Sequence, residues 1–137
     1  MDASTSRSLP APTPLALVIC DNVYADQKGK RALIGLFNRI ASSAFPARHP
    51  KVCVFVSVTS LHAQTQCRLD VVAADTDDTI FATEGQLVGD SPNTICDLVF
   101  EIDGIAFPRP GKYYFRFFGN DEIIVQRPID VVGLEVT

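Results

Sequence analysis

The stretch Lys51-Val52-Cys53-Val54-Phe55-Val56-Ser57-Val58-Thr59 decides the fold. Valine recurs at every second position, so Val52, Val54, Val56 and Val58 share one face of an extended chain, and their β-branched side chains favour that backbone. A helix would spread the same four valines around its circumference. The alternation repeats on either side. Cys67, Leu69 and Val71 form one row within Thr65–Ala73, and Tyr113, Phe115 and Phe117 another within Tyr113–Phe118. In Thr94–Ile102, Leu98, Phe100 and Ile102 share a face, while Val99, Glu101 and the following Asp103 take the other. Leu15–Tyr24, Lys30–Ile40, Thr79–Val88 and Glu122–Val132 are further extended runs, and Gly, Pro, Asn and Asp clusters separate them. No window sustains a 3.6-residue period, so no crossover helix is expected. The pattern predicts an all-β protein: a single antiparallel β-sandwich, immunoglobulin-like, of about eight strands over residues 15–137. Residues 1–14 are rich in Ser and Pro, and Pro10, Pro12 and Pro14 oppose helix and interior sheet, so this segment reads as a flexible arm.

Local chemistry specifies several connections. Gly119-Asn120-Asp121-Glu122 places two residues tolerant of left-handed backbone at the centre of a tight hairpin, as a type I′ turn requires. Asp75-Thr76-Asp77-Asp78 is a second polar turn. Ser42–Pro50 holds two prolines and no periodicity and is expected to cross between sheets. In Phe107-Pro108-Arg109-Pro110-Gly111-Lys112-Tyr113, a Pro-Gly turn precedes a tyrosine at the start of the next-to-last strand. That is the context of a tyrosine corner, where the phenol bonds backbone a few residues upstream. The alternative is a ring that only fills the core.

The 137 residues suffice for one domain, and an apolar fraction of 47% excludes disorder for the body of the chain. Twelve basic and sixteen acidic residues give a net charge of −4. The densest basic block, Lys28-Gly29-Lys30-Arg31, reads as turn chemistry, so no nucleic-acid partner and no anionic membrane surface are expected. The apolar run Leu15–Cys20 ends at Asp21, too short for an export signal or a membrane span, so a cytoplasmic setting is expected. Cys20, Cys53, Cys67 and Cys96 contain no CxxC pair and sit in apolar runs, and so read as buried reduced thiols.

Motifs that carry catalysis are missing from the chain. There is no Gly-x-Ser-x-Gly, no phosphate-cradling glycine pattern, and the only histidines are His49 and His62, both in predicted loops. No enzyme activity, metal or cofactor is expected. The acidic tip Asp75, Asp77 and Asp78 would be the best cation candidate, but it lacks further ligands and turns themselves favour Asp. Asp21, Asn22 and His49 are the candidate ligand-binding residues. Asp21 and Asn22 follow an apolar run, where they either receive a ligand or bond backbone and end the strand. The last hairpin supplies a candidate interface. If Asn120 and Asp121 form its turn, Phe118 faces Ile123, Arg116 faces Val125 and Tyr114 faces Arg127. These six side chains then occupy the nominally solvent face, which ordinarily alternates to polar. A contiguous apolar patch there implies a protein partner or self-association; alternatively, the arginine stems cover the aliphatics and leave a soluble face.

Leu17-Val18-Ile19-Cys20-Asp21-Asn22-Val23-Tyr24, then Gly29-Lys30-Arg31, Leu33-Ile34-Gly35-Leu36-Phe37, Phe45-Pro46, His49-Pro50 and the Phe107-Pro108, Pro110-Gly111, Tyr113 pattern together resemble a family of small bacterial proteins carrying a domain of unknown function. The resemblance spans nearly all the chain after the arm. It implies a stand-alone bacterial all-β protein and brings no activity or site residues. The residues themselves favour a non-enzymatic protein-interaction or assembly module. The alternative is a small-ligand or carbohydrate-binding sandwich, which the absence of Trp disfavours.

Overall fold

The valine row does what its spacing predicts: Val52, Val54, Val56 and Val58 are all 0% exposed. Their strand is central because both of its edges are paired. A computed structural model describes residues 11–61, 64–89 and 91–134. Nine strands run through these residues: β1 Thr13–Ala25, β2 Arg31–Leu36, β3 Arg39–Ser42, β4 Ala47–Thr59, β5 Thr65–Ala73, β6 Thr79–Leu87, β7 Cys96–Phe107, β8 Gly111–Gly119 and β9 Glu122–Gly133. They form a four-stranded sheet in the order β2-β1-β4-β7 and a five-stranded sheet in the order β3-β9-β8-β5-β6. Among the described residues no helix is long and apolar enough to cross a membrane.

One core serves both sheets. The β4 valines, Leu17 and Ile19 of β1 and Ile102 of β7 meet Leu69 and Val71 of β5, Phe115 and Phe117 of β8 and Ile129 of β9. Each fully buried side chain of this size contributes about 1.5–3 kcal/mol of transfer free energy. Phe100 of β7 lies against Phe117 of β8 with ring centroids 6.1 Å apart, and Phe107 meets Tyr113 edge-on at 5.0 Å. The Tyr113 hydroxyl donates to the Arg109 carbonyl at 2.7 Å, so the tyrosine corner forms as its Pro-Gly context predicts.

Three expectations are corrected. The predicted strand Lys30–Ile40 is two strands in different sheets. Gly35 has φ +75°, and the Asp21 carboxylate fills the space where a Cβ would stand, 2.5 Å from Oδ2. The chain changes sheets just beyond, at Phe37–Asn38: Phe37 N–H still donates to the Ile19 carbonyl, whereas the Asn38 carbonyl accepts from Asp130 N–H. Secondly, the pairing is not wholly antiparallel, because β3 runs parallel to β9, with Ile40 opposite Val131. Thirdly, Thr13 and Pro14 belong to β1 and not to the arm; Pro14 pairs with Val58. Proline is tolerated there because β2 pairs with β1 only from Cys20 onward, leaving that side of Pro14 without a ladder partner. The remainder of the predicted arm, residues 1–10, lies outside the described residues, as does His62.

Candidate interaction surfaces

The final hairpin turns where expected. Asn120 and Asp121 have φ of +51° and +69°, and Gly119 pairs with Glu122. Asn120 docks the turn onto the start of β5: its side-chain Oδ1 accepts from Gln66 N–H at 3.0 Å, and its backbone N–H donates to the Gln66 carbonyl. Beyond the turn the expected register holds for one pair only. Phe118 faces Ile123, but the next pair is Phe117 with Val125, so Ile124 is an extra residue in β9. Arg116 therefore faces Gln126, and Tyr114 faces Pro128. A one-residue slip exchanges faces. Ile124 and Val125 pack against the core, and Arg127 aligns with Phe115 and donates to Asn38 Oδ1 at 2.9 Å. The predicted six-residue surface is thus divided: Tyr114, Arg116, Phe118 and Ile123 stay on the outer face, while Val125 and Arg127 leave it.

What remains of that patch is covered by charge. Asp70 of β5 has no solvent exposure, accepts from Arg116 Nε and Nη2, both at 2.8 Å, and forms an ion pair with Arg68 at 3.0 Å. The two guanidiniums stand over the Phe118 ring, 5.2 and 5.1 Å from its centroid. Hydrogen bonding to Asp70 pushes the Arg116 pKa further up, so this fork stays charged. Of the remaining apolar groups, Ile123 is the openly exposed one.

The candidate ligand residues separate as well. His49 lies in β4 rather than a loop, because the strand begins at Ala47 and its ladder with β7 passes over Pro50, pairing His49 with Ile105 and Lys51 with Asp103. His49 Nε2 is 3.9 Å from Asp21 Oδ1, and its ring packs on Phe37 at 5.4 Å. Asn22 belongs to the other face of β1, where it pairs with Ile34. Asp21 and Asn22 do not end the strand, which continues to Ala25. The acidic tip is tied to Arg109, whose Nη2 reaches Asp75 Oδ1 at 2.9 Å and Thr76 Oγ1 at 3.1 Å. Among the described residues no group of three His, Cys, Asp or Glu side chains is placed to hold a metal.

A different surface emerges from the strand order. The outer face of the four-stranded sheet carries Leu36 beside Cys20 and Cys53, Ile34 beside Asn22, and the row Val18, Phe55, Val99 across β1, β4 and β7. Leu36, Tyr24 and Ile34 are 60%, 55% and 50% exposed, and Val99 is exposed too. A polar margin of Asp97, Glu101 and Lys51 borders it; Ser57 donates to Asp97 at 2.6 Å, and Lys51 lies 3.7 Å from Glu101. The tight turn at Asp26–Lys30, where the Asp26 carboxylate accepts from the N–H groups of Lys28 and Lys30, sets Tyr24, Ile34 and Leu36 together on this face. The visible signal in the chain was that Val18, Phe55 and Val99 are apolar at positions out of phase with the core rows. All four cysteines are free thiols. Burial pushes each thiol pKa up, and Cys67, with Cys96 nearby as a second cause, reaches about 11.

The chain belongs to a family of unknown function, DUF6941, whose match covers residues 15–132. No curated protein matches it. Among solved structures it is similar to the Pseudomonas fluorescens alkylpurine DNA glycosylase AlkC bound to DNA containing an abasic site analog. Identity is 8%, coverage is 85% of this chain and 30% of that chain, and the TM-score is 0.46. The expectation that excluded nucleic acid is corrected, because it rested on net charge. Net charge sums the whole surface and is blind to its distribution: here Arg68 and Arg116 lie on one sheet and Asp97, Glu101 and Asp103 on the other. The exclusion is withdrawn, and a likeness of this size assigns no activity.

Proposed function

We propose that this member of the DUF6941 family is a non-enzymatic protein-interaction module, built as an immunoglobulin-like β-sandwich that presents the outer face of its four-stranded sheet to a partner protein. The core shared by the two sheets and the tyrosine corner at the start of the penultimate strand support the sandwich reading. The observation that carries the interaction reading is the face formed by Val18, Tyr24, Ile34, Leu36, Phe55 and Val99. A sheet with one buried face ordinarily alternates to polar on the other, and a contiguous apolar patch with a polar margin is the anatomy of an interface. A cytoplasmic setting belongs to the same reading, supported by four unlinked thiols held protonated by burial.

A photo-reactive residue at Leu36, introduced in the native host, tests this. Discrete protein adducts are expected at Leu36, absent from the same probe at exposed Asp121, and lost when Ile34→Lys and Val99→Lys are added. Equal labelling at Leu36 and Asp121, or adducts indifferent to the two lysines, would overturn the assignment.

A further inference from the structure

We infer that the open edge of β7 accepts an added strand from a partner polypeptide in which apolar and basic residues alternate. The inference rests on the interaction-module reading and names the chemistry of a partner. β7 is twelve residues long and pairs with β4 on one side; among the described residues no strand pairs with its other side. From Cys96 to Asp103 it keeps an unbroken register with Val58 to Lys51, without a bulge, and it contains no proline or lysine. Proteins ordinarily blunt an edge with those devices, because unpaired N–H and C=O groups otherwise recruit another chain.

The two faces of β7 specify what an added strand would carry. On the inner side, between β7 and β6, a cleft of about 180 Å³ is lined by Cys67, Leu87, Leu98 and Phe100 together with Gly85, with Glu84 and Gln86 beside them. It suits apolar side chains at every second position of the added strand. On the outer side Asp97, Glu101 and Asp103 are all exposed, placing three carboxylates along the same strand. Cross-strand neighbours of opposite charge stabilise a pair and like charges oppose it. Basic residues at the intervening positions therefore complete the match. A second copy of β7 is the wrong occupant, because antiparallel pairing centred on Val99 sets Asp97 against Glu101.

The probe is an eight-residue capped peptide of alternating Lys and Val, read by amide hydrogen exchange in NMR spectra of the full chain. Slowed exchange is expected along β7 between Cys96 and Asp103, with the midpoint concentration at least tenfold higher for a Glu-Val peptide and for a Lys-Gly peptide of the same charge. In Glu101→Lys with Asp103→Lys, both at exposed positions, the preference is expected to reverse toward Glu-Val. Protection absent from β7, equal binding of the Lys-Gly peptide, or an unchanged preference in the double variant would each overturn the inference. Failure here with Leu36 adducts intact removes the strand-addition site and leaves the module reading standing; loss of both removes both.

Discussion

The phenol of Tyr113 closes a ring with the backbone of Arg109: its hydroxyl donates to the Arg109 carbonyl at 2.7 Å and accepts from the Arg109 N–H at 3.3 Å. One buried hydroxyl thus satisfies both backbone groups of a residue in the connection from β7 to β8, which are strands of different sheets. Tyr113→Phe keeps the ring against Phe107 and removes only this contact. The expected loss is about 1–1.5 kcal/mol, a fall in Tm of about 3–6 °C for a chain of this size, measured by calorimetry. An unchanged Tm would mean the ring acts by packing alone.

Gly35 is the second constrained position. A side chain there meets the left-handed backbone penalty and a Cβ 2.5 Å from Asp21 Oδ2, with Asp21 Cβ and Cγ at 3.0 Å. Gly35→Ala is expected to destabilise the fold by about 2–3 kcal/mol in urea melts. In a cycle with Asp21→Ala the cost of Gly35→Ala is expected to fall to about 1–2 kcal/mol, the backbone penalty with the remaining contact to the Cβ of residue 21. No coupling between the two sites would show that Asp21 is free to move aside.

The thiols provide a test in alkali. Denatured without reductant, the protein is expected to yield four reactive thiols, and in the native state they should react slowly, because burial keeps them protonated. Cys67 ionises near 9 when unfolded and near 11 when folded. The unfolded state therefore releases this proton first, so the stability contribution is complete below pH 9 and is lost as pH rises toward 11. Wild type is expected to lose stability over that window more steeply than Cys67→Ala; parallel curves would place the Cys67 thiol in contact with water.

Asp70 tests the outer face of the five-stranded sheet. Asp70→Asn leaves the Arg116 fork without its anionic partner. The expected cost is about 2–3 kcal/mol, below the full penalty of a broken buried pair because Arg116 and Arg68 are 23% and 43% exposed and water reaches them. Urea midpoints measure it. The change should also release the two guanidiniums from Phe118, raising the fluorescence-detected binding of an apolar dye; a midpoint within error of wild type would reduce the cluster to surface decoration.

Much of the fold was legible because its signals are local. The valine row of β4 and the Pro-Gly-Lys-Tyr corner each depend on residues a few positions apart, and both formed as read. Four other features rest on distant partners. Gly35 bears no local mark of its constraint, because it is Asp21, on the preceding strand, that occupies the place of its missing side chain. Ile124 carries no mark of a bulge in its own neighbourhood, yet that bulge moved Val125 and Arg127 off the predicted interface. The apolar outer face exists only because β2, β1, β4 and β7 are neighbours in that order, so Leu36 and Val99 share a surface that no single strand displays. Phe118 looked like an interface residue until the arginines of β5 and β8 were seen to stand over it.

The parallel pairing of β3 with β9 has a consequence during synthesis. Arg127 reaches back to Asn38 across 89 residues, and Ile40 has its ladder partner in Val131. At ribosomal rates of about 5–20 residues per second, the segment that becomes β3 waits roughly 5–20 s before its mate is made. Throughout that interval the nascent chain carries an unmatched strand and an incomplete second sheet. The five-stranded sheet therefore closes only once Glu122–Gly133 has been made, and a chain stalled before residue 122 lacks both β9 and the docking place of β3.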